Sequence, residues 1–448
     1  MDRRLIISSA VLSKGRSQIV RVFVLALLLT AIVVTLAVAQ ADNLAGRWKG
    51  TWTKNGDALP VTVEFARTGD AWSGKFDSDA LQVAGIPFGS VSVLSGNVHF
   101  QIRGDQSTSI FDGQIRGDRM SGTFTEGGAK GSFEFVRTTL PGPRIQTREV
   151  TFRNQSVTLS GTILLPATPG KHFAIEFLHG SGPEGRWASR YLAQKFAEGG
   201  IVALIYDKRG VGQSTGDWQK IGFDALADDA VAGIRFLESQ SEVDAARIGI
   251  YGHSQGGTIA PLVGVRGGNL YFVIASAAGG INPADVETYS VENGIGIANL
   301  PPTDRPDARK YVRSLIDVAY RGKDRESLNA MAVEFKDRNW FFAPPPAESS
   351  YWLISKQIAA FSPGEYWRQI KTPVLLVYGA HDERVPPRES ADAIEAALKS
   401  GGNRNVTLQM YPNADHTFTI VDAPQKGGWP KHEPDYAEIL VNWVLSQR

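Results

Sequence analysis

Apolar and polar residues alternate in short runs through the stretch 44–137, and glycine-containing turns separate the runs. Val61, Val63 and Phe65, then Val98, Phe100 and Ile102, then Phe133 and Phe135 each place apolar side chains two residues apart, the period of a strand with one buried face. Asn55-Gly56-Asp57, Thr68-Gly69-Asp70, Ser95-Gly96-Asn97 and Arg116-Gly117-Asp118 fall between such runs as turn signals. No helical period interrupts them. The pattern predicts an antiparallel meander, closed or partly closed as a small barrel, over 42–140. Its core-facing aromatics are expected to fill the interior, with a site for an apolar ligand as the other reading. Pro141-Gly142-Pro143 marks the way out of it.

From 147 onward the rhythm changes. Two alternating runs at 149–152 and 157–165 flank Asn154-Gln155 and predict an opening hairpin. Mostly apolar runs at 173–178, 201–206, 271–275, 373–378 and 406–411 predict buried strands. Helical patterns at 188–198, 223–238 and 436–445 lie among them, the second with Leu226, Val231, Ile234 and Leu237 about one face apart. Alternating strands and helices predict an α/β fold over 147–448, a mostly parallel, doubly wound sheet covered on both sides. The rhythm is suspended near 281–368, where helical patterns at 308–319 and 325–335 and a cluster Trp340-Phe341-Phe342, Tyr351-Trp352 predict a helical cap. These aromatics line an acyl pocket or form the cap's own core.

Before the meander, 1–41 holds cations and then an almost unbroken apolar run at 22–39, ending in Ala37-Val38-Ala39. This is the layout of an export signal, and its length also suits an uncleaved membrane anchor. Either way the rest of the chain is expected outside the cytoplasm, periplasmic or secreted. The 448 residues contain no cysteine, which excludes disulfides, thiol catalysis and thiolate metal sites. Formal net charge is +1 and no Lys/Arg block marks a nucleic-acid surface.

The chemistry-bearing stretch is Arg247-Ile248-Gly249-Ile250-Tyr251-Gly252-His253-Ser254-Gln255-Gly256-Gly257. It reads as a strand, a sharp turn with the pattern G-x-S-x-G, and a helix opened by small residues, which makes Ser254 the candidate nucleophile. Gly212-Gln213-Ser214-Thr215-Gly216 fits the same pattern but lies in a turn-rich stretch with no such helix behind it. In parallel sheets the chemistry collects at the carboxyl ends of strands. The run 173–178 leads into His179-Gly180-Ser181-Gly182-Pro183, 373–378 into His381-Asp382-Glu383, and 406–411 into Asp415-His416-Thr417.

With Asp207-Lys208-Arg209-Gly210-Val211-Gly212-Gln213-Ser214, these motifs resemble the α/β-hydrolase superfamily over about 149–448, most of all bacterial esterases related to the serine aminopeptidase and acyl-peptide hydrolase branches. The segment around Gly46-Arg47-Trp48 is similar to lipocalin-like barrels and is not part of the hydrolase pattern. The resemblance implies a serine–acid–histidine relay of Ser254, Asp382 and His416, with Glu383 as the other candidate acid. It implies an oxyanion site at the N–H groups of Gln255 and of Ser181 or Gly180. His179 and His253 are expected to be structural, His432 to lie apart, and Asp207 and Arg209 to pair and fix their loop. A metal at His381-Asp382-Glu383 is not expected, because adjacent loop residues lack a supporting constellation, and no cofactor is expected. The expected function is a serine esterase cleaving a small-molecule carboxylic ester through an acyl-enzyme. The alternatives are a serine peptidase of the aminopeptidase or acyl-peptide type and a non-enzymatic exported ligand-binding protein.

Overall fold

A computed structural model describes residues 44–104, 107–142, 144–298, 300–421 and 428–447. The leader at 1–41, its cleavage site at 37–39 and Pro143 of the linker lie outside the described residues. Among the described residues no helix is long and apolar enough to cross a membrane. The chain divides into two compact units, one comprising residues up to Ser78 with Gly85–Leu140 and Gly427–Trp429, the other Asp79–Ala84, Pro141–Lys426 and Pro430–Arg448.

The first unit is a nine-stranded antiparallel sheet of β1 (Gly46–Lys54), β2 (Asp57–Thr68), β3 (Ala71–Ser78), β4 (Val83–Pro87), β5 (Ser90–Leu94), β6 (Asn97–Arg103), β7 (Thr108–Arg116), β8 (Arg119–Glu126) and β9 (Ala129–Thr138). The order β4-β3-β2-β1-β9-β8-β7-β6-β5 brings the first and last strands together and leaves β4 and β5 as edges, so the barrel is partly closed. Alternation does the sorting: along β2, Leu59, Val61, Val63 and Phe65 are buried while their neighbours face outward. Trp48, Phe100, Phe111, Phe124 and Phe133 fill the interior, and the rings of Phe100 and Phe111 stack at 4.5 Å. Trp429 belongs to this unit, its backbone and indole N–H groups donating to Asp57.

The second unit is an eight-stranded sheet in the order β10 (Ile145–Asn154), β11 (Val157–Pro166), β13 (Val202–Tyr206), β12 (His172–Leu178), β14 (Val243–His253), β15 (Val273–Ser276), β16 (Val374–Gly379), β17 (Val406–Tyr411). β10 and β11 form the antiparallel hairpin, β11 also runs antiparallel to β13, and the remaining pairs are parallel. Every residue of β13 and β16 is buried, because helices cover both faces. Leu204 and Leu376 join the core beneath the helices Phe223–Glu238, Gln255–Gly267 and Pro387–Ser400. Ala203, Ile205 and Val377 join the core beneath Arg190–Glu198 and Tyr436–Ser446.

A buried carboxyl breaks this apolar layering. Glu176, in the middle of β12, is fully buried, and neither of its oxygens has a hydrogen-bond partner among the described residues. Burial, and then the nearby Asp229 carboxylate, push its carboxyl well above the usual range, so it is held neutral. It fits only because residue 233 has no side chain, since a Cβ there would lie 2.2 Å from Glu176 Oε1.

Between β15 and β16 the described residues form five helices: Pro283–Ile297, Arg305–Arg321, Glu326–Phe335 and Ser350–Ala359 make the cap, and the short Pro363–Trp367 leads back to the sheet. The first and last of the cap helices are elements beyond the two expected. Tyr311, Leu315, Leu328 and Phe335 form a core of the cap's own, against which Trp340, Phe341, Tyr351 and Trp352 pack. The aromatic cluster is therefore a packing element.

Candidate active site

The elbow at Ser254 is a local consequence of its glycines. β14 must turn into the helix Gln255–Gly267 within one residue, and Ser254 does so at φ 55°, ψ −118°, a conformation costly for a side-chain-bearing residue. A Cβ at residue 252 would come 2.3 Å from the Gly256 carbonyl carbon, and one at residue 256 would come 2.8 Å from the Leu178 oxygen. Only glycine lets the helix cross so close to both strands. The turn is held by the Ser254 N–H donating to the Ser276 oxygen at 2.9 Å and by the Thr258 N–H donating to the Ser254 oxygen.

His416 arrives on the loop after β17 and Asp382 on the loop after β16. His416 Nε2 lies 3.1 Å from Ser254 Oγ, and His416 Nδ1 lies 2.8 Å from Asp382 Oδ2. A carboxylate can only accept, so Nδ1 carries the hydrogen and Nε2 faces the serine hydroxyl as an acceptor. The other oxygen, Oδ1, accepts the N–H groups of Arg384 and Val385 at 2.8 Å each. Asp382 is 1% exposed and His416 5%, so solvent hardly competes for these bonds. Two cap residues reach the same loop: Tyr289 donates its hydroxyl to the Asp382 carbonyl at 2.7 Å, and the Asn293 amide donates to the Glu383 carbonyl at 3.2 Å. The arrangement can take a proton from Ser254 and stabilise the charge that results.

The other candidates fall elsewhere. Glu383 points its carboxylate toward Arg384, 3.8 Å away. His253 packs its ring 5.0 Å from that of His416, and burial lowers its pKa to about 3. His432 faces Thr419. Ser214 is buried in a turn, its hydroxyl donating to the Asp207 carbonyl and accepting from the Ser160 N–H. Among the described residues no group of three or more His, Cys, Asp or Glu side chains is placed to hold a metal ion.

The expected Asp207–Arg209 pair is corrected. Asp207 binds Arg186 through both oxygens, at 3.1 and 2.8 Å, while Arg209 binds Asp229 at 2.6 Å. Side chains two residues apart leave a loop in different directions, and each finds its counter-ion on another element. Burial would raise the Asp207 carboxyl, but its bonds to Arg186 outweigh that and hold it below the usual range.

The loop after β12 carries the proposed oxyanion donors. Ser181, Ser254 and Gln255 line one cavity, and Gln255 opens its helix, where the first N–H groups have no intrahelical acceptor. Gly180 differs from the expectation: its N–H donates to Glu184 Oε2 at 2.6 Å and is taken up there. His179 Nε2 lies 2.6 Å from the Tyr206 carbonyl and donates to it, fixing the base of the loop; burial lowers its pKa to about 4.

The cavity beside Ser254 has a volume of about 370 Å³. Phe223, Ile281, Val286, Ile358 and Val385 give it apolar walls, and Glu287, Tyr320 and Arg384 add polar ones. Burial raises the Glu287 carboxyl, and Arg384 partly offsets this. Neither Glu287 nor Tyr320 stands out in the sequence, because each is one polar or aromatic residue among many on a cap helix and only the fold brings it to the wall of the Ser254 cavity.

Residues 177–426, more than half of the chain, match the alpha/beta hydrolase family. The chain belongs to that family. Esterase EstD from Thermotoga maritima is 22% identical over 311 residues, 64% of this chain and 65% of its own length, so the hydrolase spans just under two thirds of that relative. A stretch of 62 residues, 14% of the chain, is 42% identical to the acylamino-acid-releasing enzyme of Rattus norvegicus, of which it covers 8%. Among solved structures, the Pyrococcus furiosus esterase Pf2001 is similar at 20% identity and a TM-score of 0.44, covering 69% of this hydrolase and 97% of that chain.

Proposed function

We propose that this hydrolase cleaves carboxylic esters of small molecules through an acyl-enzyme on Ser254. The observation that carries the reading is the continuous chain of contacts from Ser254 Oγ through His416 to Asp382, at 3.1 and 2.8 Å. His416 takes the hydroxyl proton as the oxygen attacks the ester carbonyl, then gives it to the leaving alcohol; water repeats the sequence to release the acid. The N–H groups of Gln255 and Ser181 bind the developing oxyanion, an effect of about 3 kcal/mol per donor. The apolar walls beside Ser254 suit a moderately apolar acyl group. Export is part of the proposal, supported by the cationic and then apolar leader.

Ser254→Ala should lower kcat on a short p-nitrophenyl ester by about 10⁴-fold or more and abolish labelling by a fluorophosphonate, with the circular dichroism unchanged. Ser214→Ala should keep both. Retained turnover in the first variant would remove Ser254 as nucleophile.

A peptidase reading uses the same three residues, and the short stretch shared with the acylamino-acid-releasing enzyme favours it. Turnover of an acyl-aminoacyl nitroanilide exceeding that of the matching ester, in kcat/KM, would move the assignment there.

A further inference from the structure

The peptide between Gly180 and Ser181 can face the nucleophile in two ways, and only one of them helps an oxyanion. A trans peptide is planar, with its carbonyl and its N–H pointing in opposite directions. Turned one way, the unit offers Ser181 N–H to a substrate oxygen; turned the other way, it offers the Gly180 carbonyl, which repels it. Gly180 has no side chain to bias the choice, and a Cβ there would lie 2.5 Å from Glu184 Oε1. Gly182, one residue further, is itself at φ +84°.

Lys208 makes the choice. The residue is 1% exposed; its ammonium donates to the Gly180 oxygen at 2.5 Å and the Gly182 oxygen at 2.8 Å, while its backbone N–H donates to the Glu184 carbonyl oxygen at 3.2 Å. The carbonyls on either side of Ser181 are thus gathered onto one cation, which lines a different, small cavity with His179 and Tyr206, while Ser181 lines the one beside Ser254. Glu184 accepts the Gly180 N–H at 2.6 Å and fixes the peptide on the other flank of Gly180. Such charge-assisted bonds are roughly twice as strong as neutral ones.

We propose that Lys208 is a positioning residue for the reaction, holding the Gly180–Ser181 peptide plane so that the Ser181 N–H rather than the Gly180 carbonyl meets the oxyanion. This rests on the ester-hydrolase reading of Ser254.

The charge at Lys208 is conditional. Burial lowers its pKa to about 8, partly offset by Glu184. The other groups around it are His179, whose low pKa keeps it uncharged near neutrality, Asp207 and Asp229 paired with Arg186 and Arg209, the buried Tyr206, and the face of Trp218 at 5.6 Å. Since the folded value lies below the unfolded one of about 10.4, the unfolded chain binds more protons between the two. This lysine's contribution to stability therefore rises from pH 8 to 10, while its grip on the two carbonyls weakens. A merely structural lysine would not separate activity from stability in this way.

The test compares the full-length wild type, K208M and K208R, using p-nitrophenyl butyrate turnover and inhibition by a trifluoromethyl ketone, whose hemiketal oxygen occupies the oxyanion site. K208M is expected to lose ten- to hundredfold in kcat with KM within about threefold, and to bind the ketone weaker by the same factor. Wild-type kcat should fall as pH rises through about 8, and K208R, charged throughout, should recover part of the K208M loss and show no such fall. A folded K208M with kcat and ketone affinity within twofold of wild type overturns the proposal, as does a loss confined to KM. If K208M does not fold, an alkaline fall shared equally by wild type and K208R overturns it. Failure of a fluorophosphonate to label wild-type Ser254 is a separate outcome that overturns the ester-hydrolase reading together with this one.

Discussion

Asp382 gives its two carboxylate oxygens different tasks. Oδ2 meets His416, while Oδ1 is fixed by two backbone N–H groups that can only donate. In Asp382→Asn those donors would keep the amide oxygen at the Oδ1 position and turn the NH₂ group toward His416 Nδ1. The imidazole would then need its hydrogen on Nε2, the wrong tautomer for accepting a proton from Ser254. A loss of about 10³- to 10⁴-fold in kcat is expected, with a thermal midpoint near that of the wild type; a loss below tenfold would deny Asp382 this role. At this scale the residues legible in the sequence were those with their own local pattern, such as Ser254 between its glycines and His416 directly after a strand. Lys208 stands inside the motif at 207–214, yet its partners are backbone carbonyls, which leave no trace in side-chain spacing. The counter-ions of Asp207 and Arg209 were missed because Arg186 and Asp229 belong to other elements.

Strands announced themselves through short, mostly apolar runs, and β17 occupies the predicted span. The cap helix Pro283–Ile297 did not, because polar residues and glycines interrupt its few apolar positions, Val286, Val291 and Ile295. What the run 173–178 shows as a residue but not as an environment is Glu176, whose carboxyl lies buried in β12 with no hydrogen-bond partner among the described residues. Glu176→Met removes a buried acid that has no hydrogen-bond partner among the described residues and keeps an unbranched side chain of similar reach beside Gly233. It should stabilise the protein by about 1–3 kcal/mol in chemical denaturation. The folded pKa of Glu176 is raised, so the wild type is most favoured below the unfolded value of about 4.3 and loses ground as pH climbs above it. The gain from the substitution should therefore be larger at pH 8 than at pH 5. A gain that does not grow with pH would mean that the carboxyl is not held neutral.

Two units, each with its own apolar interior, make up the described chain, and no cysteine joins any part of it covalently. The first relies on stacked rings inside a partly closed barrel, the second on the two faces of an eight-stranded sheet. Calorimetry should resolve two transitions whose midpoints are the same with and without reductant; a single transition with equal calorimetric and van't Hoff enthalpies would show that the units unfold together. The barrel texture was readable from alternation alone, whereas its partial closure depends on how strand order meets at β1 and β9, a long-range pairing that a local pattern does not carry.

The hydroxyl of Tyr289 and the amide of Asn293 moor the first cap helix to the carbonyls of residues 382 and 383. A lid hinged at its base could not swing wide without slackening the very carboxylate that steadies the imidazole. The same helix contributes Val286 and Glu287 to the cavity wall, so one element shapes the substrate's berth and tensions the relay at once.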